Sequence, residues 1–336
     1  KGEAKPEFSL KPVAARLKEL LGVDVIMAPD CVGDEAKKLA TDLQPGQILL
    51  LENLRYHSAE EGKDSPEAND AFAAQLAELG DIYIDDAFGT AHRAHASMVG
   101  VTTHLDTCAA GYLLQKEIEY LGNAVDAPAH PFVAILGGAK VSDKIPVIEN
   151  LLGKADEIII GGAMAYTFLK AKGASVGNSL VEDEFIDTAK KFLEQANEKC
   201  IPFFLPIDHV IAPAIDAADA AESTTDENIP DGMMGVDIGP ETRAIYSEEI
   251  EKAKTVVWNG PMGVFEQPAF ADGTFAVARA VAGSDATSIV GGGDSVSAVN
   301  KSGVADSISH ISTGGGASLE YLKGKTLPGI AALTDK

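Results

Sequence analysis

Basic charge is scarce in this chain of 336 residues: 27 lysines and arginines stand against 51 aspartates and glutamates, a net charge of −24. A field of that sign repels nucleic acid and anionic membrane at long range, so neither is expected as a partner. Cysteine is scarce too. Cys31, Cys108 and Cys200 are odd in number and widely spaced, with no CxxC pair. That argues against a disulfide framework or a zinc site and for a reducing, cytoplasmic compartment. No apolar run is long enough to span a bilayer, and the amino terminus has no signal-like pattern. Asn300-Lys301-Ser302 matches a glycosylation sequon but lacks secretory context, and is read as chance. Several nucleotide motifs are missing as well. Gly324-Lys325-Thr326 ends like a P-loop, but the position five residues before its glycine is Leu319. No GxGxxG follows any apolar run, which disfavours a dinucleotide dehydrogenase, and protein-kinase signatures are absent.

What is abundant is glycine at the ends of short apolar runs. Phe132–Leu136 leads into Gly137-Gly138, Ile158–Ile160 into Gly161-Gly162, Ser288–Val290 into Gly291-Gly292-Gly293, and His310–Ser312 into Gly314-Gly315-Gly316. A fifth run, Thr255–Trp258, ends in Asn259-Gly260-Pro261. Glycine there lets the backbone turn tightly and brings N–H groups close to a ligand, and a following helix adds its positive end. Runs so short and apolar read as central parallel strands, so the pattern predicts a nucleotide crevice at the carboxyl edge of a doubly wound sheet.

With 46% hydrophobic residues over this length, the composition is globular and two domains are expected. Helical spacing over Leu10–Leu21, Asp34–Leu43 and Pro66–Leu79 alternates with extended segments at Val23–Ala28, Gln47–Leu51 and Asp81–Ile84. That alternation means α/β with a parallel sheet. Gly111–Val125 reads as a long amphipathic helix leaving through the breaker Asp126–Pro131, and the domain change is placed there. The alternation resumes at Phe132 and runs to about Ser312, interrupted by a polar surface excursion over Ala212–Pro230.

Two basic clusters stand out in the first part. Arg55 lies in Glu52–His57 after one extended segment, and Arg93 in Thr90–Ser97 after the next. An arginine at the mouth of a parallel sheet grips a carboxylate or phosphate with two parallel N–H bonds; alone, either would read as a surface arginine paired with a neighbouring acid. His92 and His95 have the spacing of a metal pair but no third ligand nearby. In the second part, Gly137–Lys144 is expected to open a helix that places Lys140 and Lys144 on one face, as phosphate contacts or as solvated lysines. Asp294, beside the Gly291–Gly293 turn, would either cap a helix or reach Mg²⁺ on a nucleotide. Glu266 could accept bonds from ribose hydroxyls.

Taken in order, the segments Leu50–His57, Asp85–Ser97, Phe132–Ile145, Ile158–Leu169, Thr255–Glu266, Ile289–Ser295 and Ser309–Leu319 resemble the phosphoglycerate kinase family. The words Gly-Thr-Ala-His-Arg-Ala-His, Trp-Asn-Gly-Pro-Met-Gly-Val-Phe-Glu and Ser-Thr-Gly-Gly-Gly-Ala-Ser carry the resemblance. It implies two Rossmann-like domains with mostly parallel, doubly wound sheets: residues 1–112 holding 3-phosphoglycerate, a joining helix and linker over 113–130, a nucleotide domain over 131–314, and a tail, 315–336, returning to the first domain. It implies a cytoplasmic monomer of glycolysis that closes about a hinge to move a phosphoryl group between 1,3-bisphosphoglycerate and ADP, giving 3-phosphoglycerate and ATP. The family's triose-binding arginines map onto Arg55 and Arg93. Its nucleotide residues map onto Gly138, Lys140, Lys144, Gly235, Asn259, Glu266, Gly292, Gly293, Asp294 and Ser295, with Asp294 toward the Mg²⁺ of Mg-ATP or Mg-ADP. Lys140, Gly292 and Gly315 are the expected catalytic positions, and Ala163 stands where many relatives carry a third glycine. The family's opening strand with its Asp-Phe-Asn motif, a catalytic arginine and a His-Leu-Gly-Arg segment would precede Lys1. The alternative expectation is therefore a nucleotide-binding fragment without kinase activity.

Overall fold

The computed structural model describes residues 2–334. These divide into two compact units, one made of the residues up to Gln115 together with those from Thr326, the other of Lys116–Lys325.

In the first unit, β1 (Val25–Met27) pairs in parallel with β2 (Ile48–Leu50), and β3 (Tyr83–Asp85) in parallel with β4 (Cys108–Ala110). The expected parallel arrangement thus takes the form of two separate pairs, and β4 is a strand the sequence reading did not contain. Helices α1 (Lys11–Leu21), α2 (Asp34–Thr41) and α3 (Pro66–Ala77) match the three helical patterns to within a few residues. Ser65 caps α3 by accepting the Ala68 N–H at 3.2 Å, with Pro66 at its first position. A small core of Cys31, Ala59, Phe72, Ala73 and Ala96 sits under these elements. The last segment closes on the same unit: Gly329 N–H donates to Ala91 O and Thr334 N–H to Cys108 O, both at 2.9 Å. Helix α4 (Tyr112–Asp126) carries the division between the units. Its start is tied down by Asp86, whose Oδ1 accepts the Leu113 and Leu114 N–H groups at 2.7 and 3.0 Å.

The second unit is built on one six-stranded sheet. Its strands are β5 (Phe132–Leu136), β6 (Glu157–Ile160), β7 (Phe203–Phe204), β11 (Thr255–Asn259), β12 (Thr287–Gly291) and β13 (His310–Ile311), in the order β13-β12-β11-β5-β6-β7. Every pairing in it is parallel. β5 and β11 are buried along their whole length, as strands covered on both faces must be. The chain leaves β5 in one direction through β6 and β7, and fills the other side with β11, β12 and β13; the order therefore reverses between β5 and β11.

Helices α5 (Ile145–Leu151), α6 (Met164–Lys172), α7 (Ile186–Glu198), α8 (Pro240–Lys252), α9 (Asp272–Gly283), α10 (Gly293–Ser302) and α11 (Gly315–Leu322) belong to this unit. A core of Ile135, Tyr246, Ile250, Trp258, Val277 and Val290 fills the space between sheet and helices. Its polar tips are satisfied: Trp258 Nε1–H donates to Gly260 O and Tyr246 O–H to Ile160 O, both at 2.7 Å.

Three expectations change. The polar stretch Ala212–Pro230 is more than an excursion, because β9 (Glu222–Ser223) within it joins β8 (His209–Ala212) and β10 (Met234–Ile238) in an antiparallel three-stranded sheet. The segment Gly137–Lys144 does not open a helix; α5 begins only at Ile145, where Pro146 fixes the first helical turn. The residues from Gly315 to Lys325 stay with the second unit, because α11 buries Ala317, Ser318 and Leu322 there and Ser318 Oγ bonds Ser312 Oγ at 2.5 Å.

Candidate functional site

Parallel register places the glycine turns side by side. Gly291, Asn259, Leu136 and Ile160 are successive partners across β12, β11, β5 and β6, so these four strands end in one row. The turns beyond them interlock through backbone: Gly137 N–H donates to Asn259 O at 3.0 Å, Gly138 N–H to Pro261 O at 3.1 Å, and Gly162 N–H to Met262 O at 2.9 Å. Two glycines are required by this closeness. Gly260 has φ +109°, and a Cβ on it would collide with the Gly137 carbonyl. Gly292 has φ +91° and is the N-cap of α10, so the turn into that helix uses a conformation that L side chains rarely adopt.

Above this row lies a cavity of about 520 Å³ lined by Gly137–Lys140, Ser142–Lys144, Pro146, Asn259–Pro261, Gly292–Ser295, Leu319 and Lys323. It gathers Gly138, Lys140, Lys144, Asn259, Gly292, Gly293, Asp294 and Ser295 from the nucleotide set expected from sequence. Gly315 is adjacent, since a Cβ on it would lie 3.6 Å from the Gly293 amide nitrogen. Gly235 and Glu266 are not among the lining residues. Gly235 sits in β10 with its N–H on Ser179 Oγ at 2.9 Å, and its lack of a side chain makes room for the Tyr166 hydroxyl. Glu266 is exposed on the loop after β11.

The charges in the cavity are unequal. Lys144 is 9% exposed, and its Nζ donates to Asn259 Oδ1. Burial pulls the Lys144 ammonium down to about 8; Asp143 opposes that shift, Lys323 adds to it and Asp294 opposes it. The Asn259 side-chain nitrogen is buried and has no hydrogen-bond partner among the described residues. Ser295 Oγ is already committed, accepting the Gly260 N–H at 2.6 Å. Asp294 is the second residue of α10, whose cap is Gly292, so its exposed carboxylate is not consumed in capping and faces the cavity. One hard oxygen donor beside an anion pocket fits Mg²⁺, which takes one or two carboxylates and completes its shell with water and phosphate oxygens. Three lysines, glycine turns and the start of α10 converge on this cavity, an arrangement whose chemistry suits an anion such as phosphate.

The first unit holds a second cavity, of about 530 Å³, lined among others by Glu52, Arg55, Glu60, Asp85, Thr90, His95 and Ser97. Arg55 is presented by a 3-10 turn, Leu54–Tyr56, whose Arg55 N–H is held by Asn53 Oδ1 at 3.0 Å. Arg93 is not among the lining residues, and its Nε–H donates to His92 Nε2 at 3.2 Å. Both guanidinium groups are nonetheless near His95: burial lowers its pKa first, Glu60 opposes, and Arg55 and Arg93 push it further down. Sequence reasoning missed Glu60, which is 3% exposed and accepts Ser97 O–H at 2.6 Å and Ser97 N–H at 3.0 Å, fixing the loop that carries Arg93 and His95. It also missed Asp85, buried at the end of β3 with Oδ2 unpartnered among the described residues. Burial raises that carboxyl, Ala87 N–H opposes the shift, and Asp86 adds to it.

Asp30, Cys31 and His57 bring three donor atoms within 4.8 Å of one another. Asp30 Oδ1 is already engaged by His57 Nε2 at 2.7 Å and Cys31 N–H at 2.6 Å, and burial pushes the Cys31 thiol to about 12. They form a local polar knot.

Comparison with known proteins agrees with this geometry. The family model described as phosphoglycerate kinase matches residues 1–325. A phosphoglycerate kinase of Clostridium botulinum, strain Eklund 17B, is 58% identical over 337 residues, covering all of this chain and 84% of the relative. Another, of Clostridium novyi strain NT, is 56% identical with the same coverage. The solved phosphoglycerate kinase of Coxiella burnetii superposes with a TM-score of 0.88 at 44% identity, covering 99% of this chain and 82% of that one. The Pyrococcus horikoshii OT3 enzyme gives 0.83 at 36% identity, with 98% and 84% covered. Fold and site define a Rossmann-like phosphotransferase with a carboxyl group as acceptor. The chain belongs to the phosphoglycerate kinase family, the kinases of glycolysis that move a phosphoryl group between 1,3-bisphosphoglycerate and ADP.

Proposed function

We propose that the 520 Å³ cavity takes Mg-ADP or Mg-ATP and that the Arg55 cavity takes 3-phosphoglycerate or its acyl phosphate. The observation that carries the nucleotide assignment is Lys144: a buried ammonium with a depressed pKa is a charge the protein has left uncompensated, and a phosphate would compensate it. Lys140, exposed on the same cavity, is the cation that follows the migrating phosphoryl. The amides of Gly292, Gly293 and Gly315 supply fixed donors to phosphate oxygens at the starts of α10 and α11. Asp294 would hold the Mg²⁺, whose charge offsets that of the phosphate chain. The transferred group needs alignment and positive charge rather than a covalent partner, so no protein nucleophile takes part.

On the triose side, Arg55 grips phosphate or carboxylate oxygens from the cavity wall, and Arg93, which lies outside that lining, joins it from the loop that Glu60 positions. Among the described residues no helix is long and apolar enough to cross a membrane. A coupled assay with Mg-ATP and 3-phosphoglycerate tests the whole reading: acyl-phosphate formation that needs both substrates is expected, and its absence would sink it. The fragment alternative expects nucleotide binding without turnover in the same assay, and the 56–58% identity to phosphoglycerate kinases along all of this chain favours the kinase.

A further inference from the structure

Lys323 is a third cation on the nucleotide cavity. It follows the last residue of α11, where a lysine ordinarily does no more than complement the helix dipole. Two observations give it more to do. Its side chain is only 15% exposed, held by Glu320 Oε1 at 2.6 Å, whereas the other oxygen of the same carboxylate is taken at 2.7 Å by Lys325, which is 61% exposed. Glu320 would therefore keep a cationic partner without Lys323. The ammonium of Lys323 is also close enough to Lys144 to help lower that group's pKa. Two like charges brought together in a partly enclosed pocket repel, and a polyanion seated between them turns that repulsion into attraction for itself.

We propose that Lys323 is a polyphosphate-binding residue that tightens the cavity on nucleotides in proportion to their phosphate charge, favouring the triphosphate over the diphosphate. The inference rests on the assignment of this cavity to a nucleotide. Lys140 reaches it from the turn after β5, Lys144 from the cap of α5 and Lys323 from the end of α11, so cations from three segments surround one space. The Glu320 carboxylate holds the Lys323 side chain in place, which reduces the rotamer entropy lost when phosphate arrives.

The test is calorimetric titration of the wild-type chain, Lys323→Met and Lys323→Arg with Mg-ATP, Mg-ADP and adenosine, together with steady-state kinetics. Methionine keeps the length and packing of the side chain and removes its charge. Lys323→Met should weaken Mg-ATP binding roughly tenfold, as expected for loss of one charge-assisted bond. Mg-ADP should weaken less and adenosine not at all, while Lys323→Arg restores the triphosphate affinity. In turnover the loss should fall on KM for ATP with kcat retained. Equal Mg-ATP affinity in wild type and Lys323→Met overturns the proposal, and so does an equal loss for adenosine, which would mark a merely structural role. A wild-type chain that binds no nucleotide at all would instead overturn the assignment of the cavity, and this inference with it.

Discussion

Lys140 and Lys144 show how burial separates two lysines four positions apart. Lys144 is enclosed and held by the neutral Asn259 side chain, so its charge is fixed in place and left for an anion to offset; Lys140 is exposed and able to follow a moving charge. Lys140→Ala should therefore lower kcat on the order of 10²–10³-fold, as expected when one donor to the transition state is removed, and change nucleotide affinity little. Near-normal kcat with a raised KM for nucleotide would assign it to ground-state binding instead. Asp237 offers a test of stability at the same scale. Its Oδ2 accepts the Gly273 N–H at 2.6 Å, Oδ1 has no hydrogen-bond partner among the described residues, and burial raises the carboxyl to about 7. Because the folded value lies above the unfolded one, the folded state binds the proton more tightly, and this group's contribution is lost as pH rises from about 4 through 7. Asp237→Asn removes that dependence. The cost of the amide is the same at every pH, so the stability of the variant relative to wild type should improve by about 2–3 kcal/mol between pH 5 and pH 8. Urea denaturation at the two pH values measures it, and parallel curves would show that Asp237 is not buried as a charge.

At the level of elements, Asp86 does for α4 what a capping residue does from inside a helix. It accepts two of the orphan N–H groups of the first turn, across a gap of 27 residues in sequence for the nearer one. Asp86→Ala should cost about 1–2 kcal/mol, visible as a lower denaturation midpoint, with Asp86→Asn in between. An unchanged midpoint would mean that water replaces the carboxylate at no cost. This contact also marks where sequence reading stopped. The glycine turns were legible because a positive φ or a close backbone approach is a local demand that only glycine meets, as at Gly260 and Gly292. The row they form was not, because the partnering of Gly291, Asn259 and Leu136 depends on strand order, which is set by packing far along the chain. Lys323 was invisible for the same reason: it reaches the cavity from the far end of α11. The premature start given to α5 was avoidable, since Pro146 is a helix-start residue in plain view. The sheet around β8, β9 and β10 was harder, because β9 has two residues, both exposed, and leaves no periodic trace.

Over the whole molecule, the charge balance sets a problem that the cavity residues solve only locally. A chain with a net charge of −24 repels itself and repels anionic nucleotide and triose at long range. Several of its lysines are spent in exposed pairs, such as Lys37–Glu78 and Lys170–Asp183 at 2.8 Å and Lys252–Glu248 at 2.9 Å. Each of these is worth between nothing and about 1 kcal/mol and is weakened by salt. The self-repulsion of the unpaired acids is also screened by salt, and those acids outnumber the pairs. Screening shortens the reach of charge from about 30 Å at 0.01 M to below 8 Å above physiological strength, so the long-range repulsion is removed before the contact pairs are lost. Sodium chloride should therefore raise the thermal midpoint, by roughly 3–6 °C between 0.01 M and 0.5 M for a repulsion term of a kcal/mol or two. A midpoint that falls with salt would show that the ion pairs outweigh the repulsion and that the acidic surface is organised into stabilising networks.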